Sequence, residues 1–233
     1  MSRDRTPIDL LVFDLDDTLY PEREYAFSGF EAVAVAYTDL LGPPSRTAAR
    51  LKEIFDSGNR TRCFNQLLTE RGHEVRANLV GRMVETYRAH RPRIALHVDA
   101  RECLTLWRRR VKTAVLSDGY LLAQQNKVAA LRLTGTVDAV VLTDQWGREF
   151  WKPHPRGFEL LQERFALRAD LCAYVSDNAS KDFVAPNALG WITIQAKRPG
   201  GTYEHESAPS GGQPRHAVDD LRDLARLLVP SKR

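Results

Sequence analysis

The chain reads as an α/β protein, a doubly wound parallel sheet with a Rossmann-like core interrupted by an all-helical insert. Two observations predict this. Apolar runs of the kind found in fully covered strands recur at residues 8–13, 112–117, 138–142, 171–176 and 191–195, and from Asp99 onward helical segments alternate with them. Between residues 20 and 96 the hydrophobic spacing is helical throughout. At 233 residues and 43% hydrophobic content the chain supplies one good core and a second small one. The expected domains are therefore 1–19 with 97–233 for the core and 20–96 for the helical insert.

Each element has its own signal. The first strand, Ile8 to Phe13, is followed by Asp14-Leu15-Asp16-Asp17-Thr18-Leu19. Four helices are expected next: 26–41, stopped by Gly42-Pro43-Pro44; 45–58, with Ser45 as N-cap; 61–71, before Gly72; and 75–90, before Pro92. Then come helix 100–109, strand 112–117, helix 121–133, strand 138–142, helix 155–165, strand 171–176, helix 180–189 and strand 191–195. Residues 197–215 hold four glycines and three prolines and read as a flexible loop before a last helix at 218–229. Tyr37, Phe55, Phe64 and Leu68 fall at helical spacing and are assigned to the core of the helical insert.

Composition excludes several classes. The formal charge of +4 is spread over 34 basic and 30 acidic residues, and Arg108-Arg109-Arg110 lacks interleaved aromatics, so no nucleic-acid partner is expected. No apolar stretch approaches the ~20 residues of a membrane span, and the start does not resemble a signal peptide. The three cysteines, Cys63, Cys103 and Cys172, and six histidines show no metal-ligand or redox spacing, which argues against zinc. They fit reduced thiols in a cytoplasmic protein, monomeric or homodimeric. No Gly-x-Ser-x-Gly elbow points to a serine hydrolase.

The chemistry gathers at strand ends, where open α/β sheets bind ligands. If extension persists past Phe13, Asp14 and Asp16 share a side. Two adjacent carboxylates call for a divalent cation or for one to stay protonated, unless they form a solvated turn. After the second strand, Ser117-Asp118-Gly119 offers a hydroxyl and backbone amides to phosphate-like oxygens, although it is also an ordinary turn sequence. After the third, Lys152 precedes Pro153; singly, it reads as a surface charge. After the fourth, Ser176-Asp177-Asn178-Ala179-Ser180-Lys181-Asp182 presents acids, with Ser180 also a plausible N-cap and Asp182 suited to a first helical turn.

As a set, Asp14-x-Asp16-x-Thr18, Ser117-Asp118-Gly119, Lys152-Pro153 and Asp177 with Asp182 resemble the four motifs of the haloacid dehalogenase superfamily. The resemblance spans nearly the whole chain. The Asp16-x-Thr18 start and the four-residue gap between Asp177 and Asp182 are similar to the sugar-phosphate and nucleotide phosphatase branch that includes N-acylneuraminate 9-phosphatase, and the helical block resembles that superfamily's C1-type cap. Ser176 departs from the motif, which commonly has glycine there.

The residues suit phosphoryl transfer from a small phosphorylated metabolite. Asp14 is the expected nucleophile and Asp16 the acid and base. Asp14 and Asp177 with the Asp16 carbonyl suit Mg²⁺, with Asp182 orienting its waters and Thr18 stiffening the loop. Ser117, Asp118 and Lys152 are expected at the phosphoryl group, with Lys152 also holding Asp14. In the cap, Arg60, Arg62 and Arg88 are candidate substrate selectors; solvated helix faces are the plainer account. Gln124 and Lys127 are intermediate cases. Three other readings remain open: a phosphomutase, a 2-haloacid dehalogenase that would not use Asp16, and a receiver-type phospho-acceptor.

Overall fold

The first strand divides at Asp9. In the computed structural model, which describes residues 5–231, β1 (Thr6–Ile8) pairs in parallel with β8 (Leu228–Pro230), while β2 (Leu10–Phe13) enters a separate six-stranded sheet. Asp9 makes the break. Its N–H donates to the Leu171 carbonyl at 2.8 Å, its own carbonyl accepts from Lys112 N–H at 2.9 Å, and its carboxylate accepts from the Ser231 hydroxyl. A polar residue between two apolar runs thus finds partners only where the chain changes sheets.

The main sheet is wholly parallel. Its order is β4-β3-β2-β5-β6-β7, with β3 at Lys112–Ser117, β4 at Ala139–Leu142, β5 at Cys172–Ser176, β6 at Ile192–Ala196 and β7 at His216–Val218. The chain winds outward from β2 through β3 to β4, then returns to β5 on the other side of β2. That reversal makes the gap between β2 and β5 the switch point. Period-two alternation sends Leu10, Val12, Leu116 and Tyr174 into one apolar cluster with Phe158 and Phe183. The intervening Leu11, Phe13, Val115 and Val175 are fully buried too, as expected for strands covered on both faces.

The chain packs as two units: one takes it up to Glu22 and from Ala95 onward, and the other is Arg23–Ile94. The second unit is helical. It holds most of α1 (Glu22–Ala36), then α2 (Thr38–Leu41), α3 (Pro44–Asp56), α4 (Cys63–Glu70) and α5 (Ala77–Ala89). Its core joins Phe30, Val33, Leu51, Leu67 and Met83 to Phe64 and Leu68, with Tyr37 and Phe55 half-buried against them. The expected helix 26–41 is two helices, because the Thr38 hydroxyl bonds back to the Val35 carbonyl at 2.8 Å and competes with the helical ladder. In the first unit α6 (Val98–Trp107), α7 (Leu121–Ala130), α8 (Arg156–Phe165) and α9 (Val184–Leu189) connect the strands.

Further expectations fail. Ser45 lies inside α3, which starts at Pro44 behind Pro43, and so does not cap it. The last helix is only α10 (Leu224–Leu227), flanked by β7 and β8, because the parallel pairings of β7 with β6 and of β8 with β1 override its helical periodicity. Ser180 is not an N-cap: α9 starts at Val184, and Ser180 instead gives its N–H and hydroxyl to the Asn178 side-chain oxygen, at 2.9 and 2.6 Å. Residues 197–215 carry neither helix nor strand.

Candidate active site

β2 ends at Phe13, and the chain turns from Asp17, after a bridge between Asp16 and Tyr20. Asp14 N–H still donates to the Val175 carbonyl at 2.8 Å, which sets its carboxylate at the switch point. Asp17 then takes a positive φ of 49°, and Leu19 N–H closes onto the Leu15 carbonyl at 3.0 Å. Asp14 and Asp16 line one cavity, and the Asp16 charge helps raise Asp14. Each carboxylate nevertheless has its own lysine.

Asp14 faces Lys152, whose ammonium lies 2.5 Å from Asp14 Oδ1 and 2.9 Å from Asp182 Oδ2, and donates to the Tyr174 hydroxyl at 2.8 Å. Lys152 is therefore no surface charge; its side chain is 2% exposed. Its backbone is positioned by Asp118, whose carboxylate accepts from Lys152 N–H at 3.1 Å, Thr143 Oγ1 at 2.8 Å and Lys181 Nζ at 2.6 Å. With its carboxylate so committed, Asp118 can offer an anion only its backbone amide. Ser117 is buried beside it, at the end of β3.

Asp16 is held by α7. It accepts from Gln124 Nε2 at 2.8 Å, from Lys127 Nζ at 2.6 Å and from the Tyr20 hydroxyl. Gln124 and Lys127 lie three residues apart, on one helix face. Gly119 permits this approach: its φ is +116°, and a Cβ there would lie 2.5 Å from Gln124 Nε2.

Asp177 follows β5. Its N–H donates to Thr18 Oγ1 at 3.0 Å and its Oδ1 accepts from the same hydroxyl at 3.1 Å, tying the two strand ends together. Asp182 is not a first-turn residue. It is 2% exposed and takes Lys152 and the Ser176 hydroxyl, the latter at 2.5 Å, so the serine found in place of glycine helps hold it.

The electrostatics follow from this pairing. Burial lifts Asp14 to about 7, assisted by Asp182, which shares its lysine, and opposed by Lys152. Burial also pushes Asp16 up, but the Lys127 charge and the hydrogen bonds from Lys127, Tyr20 and Gln124 outweigh it and hold Asp16 below its ordinary value. Asp177 lies well above its ordinary value, through burial and then through Asp14, Asp182 and Asp17. The residues fit a hard cation: Asp14 and Asp177 repel one another, and no described residue donates to Asp177 Oδ2. Among the described residues no three His, Cys, Asp or Glu side chains converge in metal-ligating geometry. A cation here would draw on two carboxylates and on backbone or water oxygens.

A cavity of about 270 Å³ opens on these groups, and all its lining residues belong to the first unit. Besides the predicted acids, Ser117 and Lys152, it is lined by Glu22, Gln124, Trp151, Lys181 and Tyr203. Arg60 and Arg62 are exposed and Arg88 half-buried, all in the second unit. Sequence reasoning left Tyr174, Lys181, Glu22, Trp151 and Tyr203 unassigned. Lys181 stood inside a recognised motif; Tyr174 and Tyr203 carried no local signal.

All three cysteines are free and buried, and burial pushes the Cys63 thiol up to about 11 and that of Cys172 to about 12. Among the described residues no helix is long and apolar enough to cross a membrane.

This arrangement has relatives. The chain is 25% identical over 237 residues to glyceraldehyde 3-phosphate phosphatase of Methanopyrus kandleri, covering 94% of this chain and 99% of that one. It is 29% identical over 117 residues to (S)-2-haloacid dehalogenase 1 of a Pseudomonas species, covering 50% and 48%. The fold matches the Bacillus subtilis HAD-hydrolase YfnB bound to magnesium with a TM-score of 0.64 at 19% identity, covering 94% and 97%. The haloacid dehalogenase-like hydrolase pattern spans residues 8–190, and the chain belongs to that family.

Proposed function

We propose that the protein is a Mg²⁺-dependent phosphatase of a small phosphorylated metabolite, working through a phosphorylated Asp14. The observation that carries this reading is the separation of the two acids: Asp14 on Lys152, Asp16 on Lys127, at one switch point. Relatives named as phosphatases along nearly their whole length support it. A dehalogenase would need Asp14 and Lys152 but has no use for an acid held at Asp16.

Asp14 attacks phosphorus, and the bond from phosphorus to the ester oxygen breaks. The departing oxygen takes a proton from Asp16. Lys127 keeps Asp16 ionised in the free protein, and an arriving phosphate dianion favours its protonation. In the second step water attacks phosphorus, Asp16 accepts the proton, and the bond to Asp14 breaks to release phosphate. Lys152 holds Asp14 in line throughout, and Ser117 with the amides after it offers donors to the phosphoryl oxygens. Mg²⁺, held by Asp14, Asp177 and the Asp16 carbonyl, would offset phosphoryl charge, with Asp182 orienting its waters. The helical unit is read as a cap, and Arg60, Arg62 and Arg88 as selectors on it.

The test is phosphate release from an aryl phosphate with Mg²⁺ and with EDTA, for the parent and for Asp14→Asn. Release that needs Mg²⁺ and is lost in the variant supports the reading. A variant that keeps the parent rate overturns it.

A further inference from the structure

Asp17 lies beside the catalytic pair, yet its carboxylate faces neither lysine. One oxygen accepts from Glu22 N–H and the other from Thr202 N–H, both at 2.8 Å. The positive φ of Asp17 turns the side chain to reach both. One buried carboxylate thus ties the first residue of α1 to the segment after β6, and brings Glu22 and Tyr203 to the same cavity mouth.

Resting on the phosphatase reading, we infer that Glu22 and Tyr203 form the leaving-group side of the cavity and select monophosphates whose leaving group is neutral and rich in hydroxyls, a polyol or sugar, over those with a second anionic group. Glu22 lines the cavity, and no described residue gives its carboxylate a hydrogen bond. Carboxylates accept from hydroxyls and repel carboxylates and phosphates. Tyr203 and Trp151 line the same cavity, and aromatic faces pack well on the C–H surfaces of such molecules. Burial raises the Tyr203 hydroxyl to about 12, with Glu22, Asp177, Asp182 and Asp16 adding to it. Lys127, the cation that acts on Glu22, is taken by Asp16. The cations lining the cavity are Lys152, taken by Asp14 and Asp182, and Lys181, taken by Asp118. Neither is left over for a second anionic group.

A matched pair of substrates tests this. Glycerol 3-phosphate and 3-phosphoglycerate share a carbon frame and a phosphoryl group, and differ in carrying a hydroxymethyl group or a carboxylate at the far end. The kcat/KM ratio of the first to the second is measured with Mg²⁺ at about pH 8.5, above the value of about 7 to which burial and the carboxylates of Asp16, Asp17 and Asp14 raise Glu22 against the opposing Lys127 charge. The parent should favour glycerol 3-phosphate by at least about tenfold, Glu22→Gln should cut that ratio at least about fivefold, and Glu22→Asp, which restores the charge, should recover most of it. A parent that favours 3-phosphoglycerate, or a ratio unchanged in Glu22→Gln, overturns the inference and leaves the phosphatase reading standing. If the parent releases phosphate from neither these substrates nor an aryl phosphate, the phosphatase reading fails and this inference fails with it.

Discussion

The Lys127 ammonium lies 2.6 Å from the carboxylate of Asp16, and both side chains are largely shielded from water. On the proposed mechanism the acid that protonates the leaving oxygen sits in the loop after β2 but is braced by α7. Lys127→Met should lower kcat by ~10- to 100-fold, with a larger loss for alkyl than for aryl phosphates, because only the poorer leaving group needs the proton. Steady-state kinetics on the two substrate types decides it. Equal losses on both would separate Lys127 from proton transfer.

Gly119 touches the same relationship from the other side. A Cβ there would meet the Gln124 amide that donates to Asp16, on a backbone whose φ already disfavours a side chain. Gly119→Ala should lower kcat by ~10-fold or more while costing roughly 1 kcal/mol of stability. Thermal unfolding read alongside kinetics separates the two effects.

Metal binding should show without turnover. Mg²⁺ would relieve the repulsion between Asp14 and Asp177, so Tm should rise with its concentration in the absence of substrate. Asp177→Asn should abolish that rise. A Tm rise equal to the parent's in the variant would remove Asp177 from the metal site.

Acid stability should report the pair of Arg198 and Asp99. The guanidinium lies 2.8 Å from Asp99 and also donates to the Thr18 carbonyl at 2.9 Å, joining the turn after β2 to α6. Burial pushes Asp99 up, but Arg198 and the N–H groups of Leu221 and Ala100 hold it below its ordinary value. A depressed carboxylate stabilises the fold above its unfolded value of ~3.9, and that contribution is lost as pH falls through the lower folded value. Arg198→Met should cost roughly 1–3 kcal/mol at neutral pH, and the gap from the parent should narrow below about pH 4. Urea unfolding across that range measures it.

Much of this protein is legible along the chain. Continuous apolar runs bounded by turn residues fit covered strands, and acids placed directly after them mark the ends where ligands bind, so the parallel sheet, Asp14 and Asp177 are legible in local pattern, whereas Lys152, singly a surface charge, stands out only within the set of motifs. Tertiary structure decided the rest, because the partners are distant in sequence. Lys127 lies 111 positions from Asp16, and Thr202 lies 185 positions from Asp17. No periodicity encodes such pairs. Sheet pairing likewise outweighed propensity at the C-terminus, where a helical pattern yields β7 and β8 because their hydrogen-bonding partners, β6 and β1, lie far back along the chain.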